Sequence, residues 1–337
     1  MPAMRGKWAP VIAAFHIVAF GGVAAAQTAD DQRAACLGPN VDLKIDACSA
    51  VIKAGQDTGE ALAAALANRG MAYSAKGQQD RAIQDFDKAL RLKADFVAVF
   101  VRRGIAYDRA GKADRAIQDF SEAIRLDPAL ADAFAVRGDV YIDQHQYDRA
   151  LDDLNMAIRL DPNNMLAFYN RGRAYGEMGQ PETAIKDYDA AIRLNPSFAA
   201  ALTNRGNAYR RTGQDDRALR DYDRAVELNP ALAPAFFARG RLHAARGEHD
   251  QAIQDFDTVI QLEPESARAY QQRGNEYAFK GQAEQAVRDY NVAIRLNPVD
   301  AMALNNRGIM LRSLGQPAKA KVDLAKARQL DPSLPPL

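Results

Sequence analysis

The chain has 337 residues, 48% of them hydrophobic and 26% charged, a balance that suits folded protein and a length that suits about two ordinary domains. With 44 basic residues against 43 acidic ones the formal net charge is +1, which excludes a polybasic nucleic-acid surface and an acidic disordered tail. Two cysteines and four histidines are too few for a multi-ligand zinc or iron–sulfur framework, so no metal and no cofactor is expected.

Residues 1–26 read as a secretory signal peptide. Arg5 and Lys7 precede an apolar run from Val11 to Val23, and Ala24, Ala25 and Ala26 place small side chains before Gln27, the pattern a signal peptidase cleft accepts. The run is short for a membrane-spanning helix, and no cysteine directly follows it for lipid attachment. Cleavage after Ala26 removes two basic residues and no acid, leaving the mature chain one charge negative. The expected product has no membrane span and is exported, to the periplasm in a Gram-negative cell, where disulfides persist.

Residues 27–62 form an N-terminal cap in this reading. Cys48 stands 34 residues before Ala82, and Ile52 stands 34 before Phe86, so the segment 42–55 reads as the second helix of a degenerate repeat. Cys36 lies just outside that helix and is the one available partner for Cys48. A disulfide between them is expected to pin the entry segment onto the cap, with a loop-closure contribution on the order of 3 kcal/mol. No Cys-x-x-Cys spacing suggests redox chemistry.

From residue 63 to 334 one motif recurs without a slip. Arg-Gly stands at 69/70, 103/104, 137/138, 171/172, 205/206, 239/240, 273/274 and 307/308, a period of 34 residues that defines eight units beginning at 63, 97, 131, 165, 199, 233, 267 and 301. Each unit carries two stretches with apolar residues at three- and four-residue spacing, the mark of paired amphipathic helices. A glycine separates them, from Gly77 to Gly315, with His145 the single departure; it permits the left-handed turn that ends the first helix. Acids from Asp80 to Glu284 sit at the start of the second helix, where they favour its dipole, and prolines from Pro128 to Pro332 stop it. Numbering places within a unit, place 8 is always Gly and place 20 always Ala. In an antiparallel pair the register opposes these two, and opposes the bulky places 4 and 24, as in Phe100 with Phe120. In the last unit Lys321 and Arg328 replace apolar residues, which reads as capping by substitution ahead of a short tail, 335–337.

Gly at place 8, Tyr at 11, Ala at 20, an aromatic at 24, Ala at 27 and Pro at 32 together resemble the tetratricopeptide repeat family over residues 63–334. The departures include His243 and Leu311 for Tyr and Val259 for Ala. The resemblance implies an all-α fold: an α-solenoid, a right-handed superhelix of antiparallel helix pairs whose first helices line a concave groove. Less general is the presence in every unit of Arg at place 7 and Asp at place 23, whose register puts them opposite one another. A charged pair is expected inside each hairpin, since a partly buried arginine requires an internal partner.

In the family, places 2, 5, 9, 12 and 13 face the groove, and here these places vary while the framework repeats. Candidate partner-binding residues along the stripe are Tyr169, Arg173, Asn207, Arg210, Arg211, Phe237, Arg241 and Asn275. Arginine forks grip carboxylates, asparagine serves an extended backbone, and aromatics supply apolar anchors. Asp132, Asp139 and Asp143 form an acidic patch in the third unit, so a bound segment is expected to be polarised along its length. The carboxylate clamp of chaperone-binding relatives is not carried over, because no unit has Lys at place 5.

An enzyme requires a nucleophile with a base, paired acids in a pocket or metal ligands. His145, His243 and His249 are scattered, the first replacing a turn glycine and the second a framework tyrosine. The expected function is therefore a non-enzymatic scaffold or adaptor for exported or envelope proteins, taking an extended or acidic peptide segment in its groove. An envelope glycan factor and a periplasmic client chaperone are the alternatives; nucleic acid is not an expected partner.

Overall fold

The computed structural model describes residues 29–334; the expected signal peptide and the tail at 335–337 lie outside them. All regular structure among the described residues is helical. Two helices come first, α1 (Ala29–Leu37) and α2 (Val41–Ala54). Four hairpins follow: α3 (Gly59–Ala75) with α4 (Gln79–Leu92), α5 (Val97–Arg109) with α6 (Ala113–Leu126), α7 (Ala131–Asp143) with α8 (Tyr147–Leu160), and α9 (Met165–Glu177) with α10 (Pro181–Leu194). Four more complete the chain: α11 (Ala199–Arg211) with α12 (Asp215–Leu228), α13 (Ala233–Ala245) with α14 (His249–Leu262), α15 (Ala267–Phe279) with α16 (Ala283–Leu296), and α17 (Ala301–Ser313) with α18 (Pro317–Leu330). The architecture is an α-solenoid of helix pairs. Two compact units divide within α9, one ending at Ala174 and the other starting at Tyr175.

The punctuation of each hairpin follows from its sequence. The turn glycines adopt positive φ, 74° at Gly213 for example, and His145 occupies the same left-handed position at 58°, a conformation that glycine tolerates without the Cβ penalty. Where Asp or Asn precedes the proline it can close a small turn of its own: Asn195 accepts from the N–H of Ser197 at 3.0 Å and Asn229 from that of Ala231 at 3.1 Å. Asn40 caps α2 by accepting from the N–H groups of Asp42 and Leu43. Cys36 and Cys48 form a disulfide with Cα atoms 4.7 Å apart, joining α1 to α2. Both cysteines are buried.

Packing inside the hairpins refines the register drawn from sequence. The glycine at place 8 lies directly against the side chain at place 24 rather than against the alanine at place 20. A Cβ on Gly104 would stand 2.5 Å from Cε1 of Phe120, and one on Gly206 would stand 2.5 Å from Cε1 of Tyr222. The place-20 alanine approaches through its carbonyl, 3.3 Å from a Cβ built on Gly138 in the case of Ala150. Absence of a side chain at place 8 is thus what lets the ring of the second helix reach the backbone of the first.

The charged pair expected within hairpins is seen in those that begin with α3, α5, α7, α11, α13, α15 and α17. Arg69, Arg103, Arg137, Arg205, Arg239, Arg273 and Arg307 each donate through Nε and Nη2 to both carboxylate oxygens of Asp85, Asp119, Asp153, Asp221, Asp255, Asp289 and Asp323, at 2.6–3.0 Å. These aspartates are buried. The sequence reading missed the third arm of the fork. Nη1 reaches back to place 25 of the preceding hairpin: Arg103 to Asp87, Arg137 to Ser121, Arg171 to Asn155, Arg205 to Asp189, Arg239 to Asp223, Arg273 to Asp257 and Arg307 to Asn291. One side chain therefore closes its own hairpin and fastens it to the one before.

Three variants test this packing by chemical denaturation monitored through helicity. Arg205→Ala leaves the buried carboxylate of Asp221 without its bidentate donor and is expected to cost about 2–3 kcal/mol, whereas the paired change Arg205→Met with Asp221→Leu recovers most of the loss. Gly206→Ala forces the ring of Tyr222 to move and is expected to cost about 1–2 kcal/mol despite alanine's better helix propensity.

Candidate functional site

The variable places of the first helices resolve into two different kinds of surface. In the first unit α3 packs on α5 and α5 on α7; in the second α11 packs on α13, α13 on α15 and α15 on α17. Side chains at places 2, 5, 9, 12 and 13 of neighbouring first helices are thereby brought side by side.

In the first unit these side chains neutralise one another. Arg173 is buried and donates to Asp139 through Nη1 and to Asp143 through Nη2, the latter at 3.1 Å. Burial works against its charge, but Asp139, then Tyr169 and Asp143, outweigh that effect and hold the guanidinium above its ordinary pKa. Asp139 is itself 4% exposed, and Asp132 accepts from the amide of Asn164 at 2.8 Å. The acidic patch expected at Asp132, Asp139 and Asp143, and the groove arginine expected at Arg173, are corrected accordingly: they are partners within the fold, Arg173 meeting Asp139 and Asp143 and Asn164 meeting Asp132. Tyr169 lies half-buried beside this pair.

In the second unit the cations have no such answer. Arg210 on α11, Arg241 on α13 and Arg268 on α15 make no ion pair with any carboxylate among the described residues. The side chain of Arg241 reaches solvent, yet partial desolvation, followed by the like charges of Arg210 and Arg268, pushes its pKa below the ordinary value. Arg268 lies over the ring of Phe237, 5.1 Å from its centroid, and Phe237 in turn tilts against Phe256 at 5.7 Å. Tyr222 donates to Asn207 at 2.8 Å and faces Arg210 and Arg241; burial raises its pKa, so the phenol stays protonated. The arrangement is a cationic surface with an aromatic floor and fixed polar groups.

The remaining predicted residues serve the framework or its edge. Asn275 accepts from Tyr290 at 2.8 Å and from the amide of Asn306 at 3.0 Å, which occupies its carbonyl. Arg211 donates to the backbone carbonyl of Gly176 in the preceding hairpin. Arg268 was not foreseen, although place 2 is a groove place; its significance depends on finding Arg241 alongside, which the 34-residue alignment alone does not reveal. The histidines are similarly engaged: His145 with the hydroxyl of Tyr147 at 2.8 Å, His243 with Glu248, and His249 with buried Glu276 at 2.7 Å.

Paired helices at a 34-residue period, with a bulky ring or leucine of the second helix packed on the glycine of the first, define a helical repeat protein built for surface recognition. Tetratricopeptide repeat models match residues 63–96, 97–130, 169–235, 234–266 and 272–335, and a TPR repeat model matches 138–179. The chain belongs to the tetratricopeptide repeat family. No curated protein matches it. Among solved structures it is similar to a tetratricopeptide repeat protein from Parabacteroides merdae at 23% identity, over 70% of this chain and 93% of that one, with a TM-score of 0.51. It is similar to pilF of Pseudomonas aeruginosa at 18% identity, over 62% and 94%, with a TM-score of 0.57. At these identities the two share the fold. YrrB, a TPR protein with an unusual peptide-binding site, aligns at 27% identity over 55% and 95%, with a TM-score of 0.46. Proteins of this family generally act as non-enzymatic protein–protein interaction scaffolds. Among the described residues no helix is long and apolar enough to cross a membrane.

The internal role of Arg173 is checked by Arg173→Gln, which leaves the buried carboxylate of Asp139 unpaired. A loss of about 3 kcal/mol in the denaturant midpoint analysis is expected, and an unchanged midpoint contradicts the assignment.

Proposed function

We propose that this chain is a non-enzymatic scaffold of the cell envelope that binds an extended acidic segment of a partner protein across the first helices α11, α13 and α15. The observation that carries this reading is the trio Arg210, Arg241 and Arg268, whose charges meet no carboxylate partner among the described residues. Placing like charges together costs stability, and carboxylates brought by a partner remove that repulsion while gaining charge-assisted hydrogen bonds. Phe237, already covered by Arg268, offers an apolar contact between the cations. The partner is acidic along this stretch rather than polarised, since the carboxylates of α7 are consumed by Arg173.

Export is supported by the signal-like residues 1–26 and by the disulfide between Cys36 and Cys48, a bond that belongs to oxidising compartments. Exported or envelope proteins are then the natural partners.

The test is capture from native envelope extract with the oxidised mature chain, beside the triple variant Arg210→Glu, Arg241→Glu, Arg268→Glu checked for unchanged helicity. A defined protein retained by the unmodified chain and lost by the variant, with retention falling as salt rises, is the expected outcome. Equal capture by both chains sinks the arginine assignment. Retention of anionic glycan without protein favours the polysaccharide reading instead.

A further inference from the structure

A second site lies in the first unit. Between α2, α3 and α4 an open groove of about 310 Å³ is walled by Ile52, Leu62, Leu66 and Leu92 and edged by Lys88 and Arg91. Its volume sits at the lower end of the range for small-molecule sites. Comparison with the next hairpin shows why the space exists. At the places 34 residues on, Phe86, Phe96 and Phe100 stand for Ile52, Leu62 and Leu66, so the next hairpin has three larger rings packed into the core where this one has aliphatic side chains.

The charge differs in the same comparison. The counterparts of Lys88 and Arg91 are Glu122 and Arg125, which pair with each other at 2.6 and 2.8 Å. Lys88 and Arg91 make no ion pair among the described residues. Arg69, at the base of the groove, is matched by Asp85 and turns its third donor to Ser49, so its charge is already compensated and its donors are engaged. The groove thus combines an apolar floor with two unanswered cations on one rim. A carboxylate on an apolar body satisfies both features; a neutral or cationic amphiphile satisfies only one.

We infer that this groove binds a small amphipathic monocarboxylate, its apolar chain against Ile52, Leu62 and Leu66 and its carboxylate between Lys88 and Arg91. A volume of about ten water-sized spaces accommodates roughly ten heavy atoms, the size of octanoate.

The experiment is calorimetric titration of the full chain with octanoate, 1-octanol and octylammonium below their aggregation thresholds. Saturable one-to-one binding of octanoate is expected, weakened by added salt, with octylammonium at least about tenfold weaker. Lys88→Gln with Arg91→Gln lowers octanoate affinity by about tenfold or more. Leu66→Phe, which installs the residue of the next hairpin, abolishes binding with helicity retained. If Leu66→Phe fails to fold, Ile52→Phe fills the groove from the opposite wall and serves the same purpose. Arg241→Glu leaves octanoate binding unchanged, which separates this site from the arginine surface. Absence of saturable octanoate binding, equal binding of octylammonium, or full affinity in the filled variants overturns the proposal.

Discussion

The structure depends on a three-armed arginine. At place 7 of a hairpin the guanidinium grips a buried aspartate of its own second helix with two parallel bonds and sends the third donor into the hairpin before it, as Arg205 does with Asp221 and Asp189. Lysine cannot substitute for this geometry, because a single ammonium does not present a planar fork to one carboxylate while reaching another acceptor. The aromatic framework uses the same cation. Tyr209 has Arg205 on one side, 5.6 Å from its ring centroid, and Arg217 on the other, at 4.3 Å. Burial that would otherwise be costly for a charge is tolerated since every donor of the fork has a partner. Apolar packing brings the helices together, and the arginines fix the register at which they do so.

Against this uniform framework, function resides in places where the repeats differ. Arg173 and Arg241 occupy the same place in their hairpins and meet opposite fates. The helix before Arg173 supplies Asp139 and Asp143, and the arginine is buried and neutralised. The helix before Arg241 supplies Arg210 and the one after it Arg268, so partial desolvation and then these like charges lower its pKa. A residue's chemistry here is set less by its own identity than by its neighbours one repeat away. That is how a scaffold with one repeated fold can present a neutral surface in one unit and a cationic one in the other.

The amino-terminal helices illustrate the same principle with apolar residues. α2 follows the repeat closely enough to pack on α3, yet it carries Ile52 where the next hairpin has Phe86 and Ser49 where Arg69 looks for an acceptor. Smaller side chains leave space, and Lys53 stands at the place of Asp87, so Arg69 turns to the hydroxyl of Ser49 one turn earlier and the local charge stays positive. The disulfide to Cys36 holds the preceding helix against this segment. A covalent tie is effective here because α1 is short and buries little apolar surface of its own.

The sequence by itself determined the helical class, the repeat boundaries, the family, the Cys36–Cys48 pairing and the arginine–aspartate pair inside hairpins. The boundaries and the arginine–aspartate pair are written at fixed intervals within the chain, the family in the residue types at fixed places, and the disulfide in there being two cysteines. It also marked Arg210, Arg241 and Phe237 as residues of the variable stripe. What it left undecided was whether a charged side chain at such a place is free or engaged. Arg173 and Asp139 are 34 residues apart, at equivalent places on successive first helices, and nothing in the spacing says that they meet. The third arm of the arginine fork, the ring of Tyr222 against Gly206 and the alignment of Arg268 with Arg241 and Phe237 are likewise contacts between segments. Only the tertiary structure decides them, because the distance across a helix interface depends on crossing geometry and side-chain direction, which the pattern of residue types does not encode.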